Sequence, residues 1–180
     1  MEDRPVALIG MMGAGKTAVG RVLARRLGRP FVDADDELVA REGRSVAEQF
    51  ATYGEAGFRD REAVVLAQVL DRRPPVVVAT GGGAVARPAN RQRLREAAVT
   101  VWLRAPVPEL AERVGSGRDR PLLGDDPQAA LATLLALRAG WYAETAHLVV
   151  DTARRRPSEV ADEIVAALVA PASPAGGGRA

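Results

Sequence analysis

Residues 10–17 read Gly10-Met11-Met12-Gly13-Ala14-Gly15-Lys16-Thr17. The spacing is G-x-x-x-x-G-K-[ST], and its flanks are those the motif requires. The apolar run Val6–Ile9 precedes it. Thr17–Leu27 follows, with Val19, Val22, Leu23, Ala24 and Leu27 near helical spacing. A strand, a glycine-rich turn and a helix in this order make a phosphate cradle. The glycines let backbone N–H groups turn inward around phosphate oxygens, at a helix N-terminus whose dipole favours anions. Gly13, Ala14, Gly15, Lys16, Thr17 and Ala18 are therefore the expected nucleotide contacts. Lys16 is expected on the β- and γ-phosphates, and the Thr17 hydroxyl on Mg²⁺.

Outward from the cradle, short β-rich runs alternate with longer helical patterns. The runs are Val6–Ile9, Phe31–Val32, Val76–Ala79, Val99–Leu103 and His147–Val150. Such alternation predicts an α/β fold of the P-loop NTPase type: a three-layer sandwich, with a parallel sheet of about five strands and helices on both faces. Residues 1–170 are read as one domain and 171–180, rich in Pro, Gly and Ala, as a disordered tail. Asp35–Arg61 holds helical fragments broken by Gly43, Gly54 and Gly57 and contains no strand; about 33–61 is the expected substrate-binding segment. Gly115–Pro127 is polar, rich in Gly, Asp and Arg, and too long for an ordinary connection; a lid is expected over about 113–127.

Composition narrows the function classes. The 25 basic and 23 acidic residues leave a net charge of only +2, and no basic run is interleaved with aromatics, so nucleic acid is not an expected partner. With no cysteine, disulfides and thiolate metal sites are excluded. No apolar run approaches the roughly 20 residues that span a bilayer, so no membrane association is expected. The N-terminus enters a strand-like run at once, leaving no room for a signal peptide, and a cytoplasmic monomer is expected. No Asn-Lys-x-Asp guanine-reading segment and no Leu-Ser-Gly-Gly-Gln segment appears, which weakens the GTPase and transporter-ATPase readings. A small chain with an Arg-rich lid favours phosphoryl transfer to a small molecule, the lid excluding water as a competing acceptor.

Phe31-Val32-Asp33-Ala34-Asp35-Asp36 falls where the second strand ends, on the side of a parallel sheet that binds ligands. In extended chain Asp33 and Asp35 would face one site. One acid could hold Mg²⁺ through water while the other orients or deprotonates a hydroxyl. Equally, the group could be a helix N-cap with first-turn acids, Asp35 or Asp36 capping.

The cradle, Asp33-x-Asp35, Gly57-Phe58-Arg59-x-x-Glu62, Gly81-Gly82-Gly83 and Arg120-Pro121-Leu122-Leu123 occur in the order and approximate spacing of shikimate kinases. Over residues 5–168 the chain resembles that family. The resemblance implies phosphorylation of the 3-hydroxyl of shikimate by ATP, in the chorismate pathway to aromatic amino acids. It implies that Asp33 supports Mg²⁺ through water and that Asp35 binds shikimate hydroxyls and acts as base. It places Arg59 and Arg138 on the substrate carboxylate, where a guanidinium fork matches two oxygens. It places Gly82 against shikimate through its backbone N–H, and Arg120 on the transferring phosphate. Arg113 before the lid, and Arg155 with Pro157 after the fifth strand, match positions that flank adenine. Arg118 is read as solvated, and Arg154-Arg155-Arg156 could equally be a solvated basic turn.

Gluconate kinase shares fold and cradle and also binds a carboxylate; the Asp33-x-Asp35, FRxxE and GGG set favours shikimate. A nucleotide-dependent switch without acceptor is the rival from another class. His147, the only histidine, is read as structural, and Met11 and Met12 as cradle filler. One departure stands out: Gly140-Trp141, where relatives often carry Pro-Leu, could shift the helix that bears Arg138.

Overall fold

The computed structural model describes residues 4–115 and 126–170. Strand β1 (Val6–Ile9) leads into helix α1 (Lys16–Leu27), β2 (Phe31–Asp33), α2 (Ala34–Glu42) and α3 (Val46–Leu70). Then follow β3 (Val77–Ala79), a 3-10 turn at Ala84–Ala86, α4 (Pro88–Ala97), β4 (Val99–Arg104), α5 (Val107–Val114), α6 (Pro127–Thr145), β5 (Leu148–Asp151) and α7 (Pro157–Val169). The five strands form one parallel sheet in the order β2-β3-β1-β4-β5. Helices α1 and α7 pack together in one layer, while α4 and α6 pack together in the other. The expected P-loop sandwich is thus the fold.

The central strand explains its own sequence. Val6, Ala7, Leu8 and Ile9 are all buried, because helices cover both faces. Each large apolar side chain removed from water there contributes about 1.5–3 kcal/mol. The chain pairs β1 with β3 on one side and β4 on the other, Leu8 standing opposite both Ala79 and Val101. This switch in direction opens a crevice at the carboxyl ends of the strands, where open α/β sheets bind ligands.

Several boundaries differ from the sequence reading. Gly43 does end a helix, in the left-handed conformation as the C-cap of α2. Gly54 (φ 65°, ψ 178°) kinks α3. Gly57, however, lies inside the helix, and α3 continues to Leu70 because Val65, Leu66, Val69 and Leu70 bury its second half. The fifth strand starts one residue late: the His147 N–H already donates to the Thr100 carbonyl, but the ladder is complete from Leu148. His147 is structural, its Nδ1 accepting the Thr100 N–H at 3.1 Å, with desolvation lowering its pKa. Helix α6 runs unbroken through Gly140-Trp141, so the departure there leaves Arg138 on a regular helix. No described helix is long and apolar enough to cross a membrane.

Candidate active site

The cradle closes on itself. Gly10 adopts φ 140°, and a Cβ there would run into the Leu103 carbonyl, so only glycine lets β1 turn this tightly beside β4. The Lys16 ammonium folds back to donate to the Gly10 and Met11 carbonyls at 2.8 and 2.9 Å. Helix α1 starts directly after the cradle with no side-chain cap, unlike α2, α3 and α6, which Asp33, Ser45 and Asp126 cap. A helix start without a side-chain cap at the carboxyl end of the sheet suits an anion. Gly13 is tied to the rest of the fold by Arg113. That guanidinium reaches the Gly13 carbonyl (3.3 Å), the Thr152 carbonyl (2.8 Å) and the Thr152 hydroxyl (3.2 Å), and pairs with Glu109. Arg155 occupies the same β5–α7 connection, held by the Asp151 carbonyl and by Glu163. At the start of α7 the Glu159 carboxylate accepts the Arg156 N–H at 2.7 Å and pairs with the Arg156 guanidinium.

The acid pair is arranged otherwise than an extended strand would arrange it. Strand β2 stops at Asp33 and the helix starts at Ala34, so Asp33 and Asp35 are not strand neighbours on one face. Asp33 itself is the N-cap, its carboxylate accepting the Asp35 N–H at 3.1 Å; Asp35 and Asp36 are first-turn acids. The other Asp33 oxygen accepts the Thr17 hydroxyl at 2.7 Å, linking the acid to the cradle. Asp35, two residues on and in the first turn of α2, points to the glycine triplet instead. A Cβ on Gly81 would lie 2.8 Å from Asp35 Oδ1 and 2.5 Å from Glu62 Oε1.

The triplet is a meeting point of side chains from several elements. A side chain on Gly83 would overlap the Arg59 guanidinium. Arg59 is buried, ion-paired with Glu62 at 2.8 Å, reached by Glu55 at 3.4 Å, and flanked by the rings of Phe58 and Phe50. From the other side Arg138 of α6 donates to the Gly82 carbonyl at 3.2 Å. Two arginines 79 positions apart in sequence therefore converge on three glycines. Burial raises the pKa of Glu62, opposed by Arg59, and Asp35 and Arg138 are near enough to act on it as well. Arg59 Nε, Arg138 Nε and Glu62 Oε1 are buried without a hydrogen-bond partner. Nε of Arg4 and of Arg91 is likewise buried without a hydrogen-bond partner, so the convergence of Arg59 and Arg138 on the triplet, more than the orphan atoms, marks the site.

Sequence reasoning left four residues without a role of their own. Phe50 packs on Phe58 at 4.3 Å between ring centroids and forms part of the wall behind Arg59. Gly81 and Gly83 matter as much as Gly82, through the volume they leave empty. Tyr142, fully buried, bonds the Gly82 carbonyl at 2.5 Å. Its position four residues after Arg138 was the available signal. Arg118 and Arg120, the body of the expected lid and the tail at 171–180 lie outside the described residues.

Comparison with known proteins agrees with this geometry. The family model described as shikimate kinase matches residues 12–169. A curated shikimate kinase from Bordetella pertussis is 52% identical over 151 residues, covering 83% of this chain and 71% of its relative. One from Symbiobacterium thermophilum is 49% identical over 165 residues, covering 89% and 93%. The solved structure of shikimate kinase from Acinetobacter baumannii in complex with shikimate superposes with a TM-score of 0.89 at 38% identity, covering 92% of each chain. With a cradle, an acid pair and an arginine-lined glycine turn in one crevice, and relatives matched along nearly its whole length, the chain belongs to the shikimate kinase family.

Proposed function

We propose that the protein phosphorylates the 3-hydroxyl of shikimate with ATP, giving shikimate 3-phosphate and ADP on the route to chorismate and aromatic amino acids. Family membership supports the reaction, and the relative from Acinetobacter baumannii binds shikimate. The observation that carries the acceptor assignment is the pair of buried arginines, Arg59 and Arg138. They meet at the glycine triplet beside Asp35, each with an unsatisfied Nε. A carboxylate between them would supply the missing acceptor oxygens.

In this reading the acceptor carboxylate lies between Arg59 and Arg138, and its hydroxyls lie toward Asp35 and the Gly82 backbone. The hydroxyl oxygen attacks the γ-phosphorus, the bond to the β–γ bridging oxygen breaks, and the hydroxyl proton passes to the Asp35 carboxylate. Cradle N–H groups from Gly13 to Ala18, with Lys16, hold the phosphates. Arg113 and Arg155 flank the adenine, and Arg120 of the lid reaches the transferring phosphoryl. The Thr17 hydroxyl and Asp33 carboxylate are hard oxygen donors in contact at 2.7 Å, a set that fits Mg²⁺. Among the described residues no group of three or more His, Cys, Asp or Glu could hold a metal, so phosphate oxygens and water would complete its shell. When bound, Mg²⁺ offsets negative charge on the phosphates. One domain through residue 170, acting as a cytoplasmic monomer, completes the proposal.

An acceptor panel of shikimate, gluconate and nucleoside monophosphates, read by ADP release, tests the reaction. Turnover is expected with shikimate alone; gluconate-dependent turnover of similar efficiency would move the chain to the rival reading. Arg59→Lys and Arg138→Lys keep the charge and lose the fork. Each is expected to weaken shikimate binding by about 1.5–3 kcal/mol, about one to two orders of magnitude. ATP affinity should stay unchanged. Equal losses for both substrates in separate titrations would refute the carboxylate clamp.

Gly83→Ala provides an independent check. Its φ of −100° suits alanine, so the backbone is unstrained, but the new methyl competes with the Arg59 guanidinium for the same space. Arg59 must leave Glu62 to make room. A rise of about tenfold or more in the shikimate KM is expected, similar in size to that of Arg59→Lys. An unchanged shikimate KM would show that Arg59 sits elsewhere when substrate binds.

A further inference from the structure

Arg138 and Tyr142 stand one turn apart on the same face of α6. Both donate to one atom, the Gly82 carbonyl oxygen: Arg138 Nη1 at 3.2 Å and the Tyr142 hydroxyl at 2.5 Å. Met11 Sδ of the cradle lies 3.5 Å from the same hydroxyl. The ring is stacked on Trp102 of β4, with centroids 5.5 Å apart and planes at 25°. Trp102 in turn lies in register with Ile9, the last residue of β1 before the cradle. Tyr142 thus touches the glycine triplet and the cradle while packed against the sheet between them, and α6 holds it firmly.

We propose that Tyr142 is a positioning residue for the acceptor, its hydroxyl fixing the Gly82 carbonyl on which Arg138 Nη1 is anchored, so that the guanidinium meets the acceptor carboxylate through its free Nε. This rests on the function proposed above. A carbonyl oxygen has two lone pairs, and here both have a donor. Without the tyrosine one lone pair of this half-buried carbonyl would lose its donor, and the turn that anchors Arg138 would be held by the guanidinium alone. With the tyrosine present, Gly82 keeps a hydrogen bond throughout, and the turn stays where Asp35 and Arg59 need it. The hydroxyl remains a donor across the working range, because burial pushes its pKa up to about 12.

Tyr142→Phe tests this. Phenylalanine keeps the ring against Trp102 and removes only the hydroxyl, and circular dichroism with a melting curve checks the fold. The KM for shikimate is expected to rise about 3- to 10-fold, the worth of one hydrogen bond. The KM for ATP should stay within about twofold, on the same scale. A role in packing alone would not separate the two substrates. Because Tyr142 acts through Arg138, Tyr142→Phe should add little on an Arg138→Lys background. The inference is overturned if the shikimate KM stays within twofold of wild type, if both KM values rise together, or if the two substitutions multiply in the double variant. Absence of shikimate-dependent ADP release by the wild type would instead overturn the function on which it rests.

Discussion

Lys16→Met is expected to reduce turnover by about 10²–10³-fold or more in a protein that still folds. The magnitude is that of removing one preorganised charge from a phosphoryl or oxyanion site. The structure explains why the fold should survive. Lys16 Nζ donates to the Gly10 and Met11 carbonyls, two charge-assisted bonds worth about 1.5–3 kcal/mol each, offset by the relief of a buried ammonium in the substituted protein. The Met11 carbonyl also accepts the Ala14 N–H at 3.1 Å, which holds the loop without the lysine. The conformation of the turn is fixed by Gly10, Gly13 and Gly15, all at positive φ, not by the ammonium. ADP release with saturating shikimate, beside a melting curve, separates the two effects. Activity within tenfold of wild type in a folded variant would remove Lys16 from the reacting centre.

The second large effect is expected from Asp35→Asn, a loss of about 10²–10⁴-fold in kcat, the range for a positioned general base. Asparagine preserves shape and removes the charge that, in the proposed mechanism, accepts the hydroxyl proton. Here the helix cap decides the interpretation. A cap loss would have mimicked a catalytic one, but the cap of α2 is Asp33, which accepts the Asp35 backbone N–H. That N–H is untouched by the substitution, so α2 should start as before. The melting temperature should therefore move by only a few degrees, while turnover collapses. Near-normal kcat would assign Asp35 to substrate binding or to structure alone. Collapse of both kcat and melting temperature would show that the carboxylate holds the Gly81 turn together.

Sequence by itself determined the fold class and the backbone of the glycine-rich cradle, because both are written locally. The cradle needs eight consecutive residues between a strand and a helix, and each glycine states a backbone requirement that no distant contact alters. The alternation of Val-rich runs with helical patterns likewise requires a covered parallel sheet. Single acids and arginines carry no such local statement. Asp33 and Asp35 looked like strand neighbours facing one site; only the folded chain shows that the helix begins between them and sends one to Thr17 and the other to Gly81. Arg59 and Arg138 are ordinary helical arginines until α3 and α6 are packed around the triplet. The glycine triplet names no partner of its own until Arg59 and Glu62 are seen filling the space of its missing side chains. Tyr142 had no role until the Gly82 carbonyl was found beneath its hydroxyl. Backbone geometry is encoded within a few residues of where it is used, whereas a binding site for a small anion is assembled from segments whose meeting depends on the packing of the whole core.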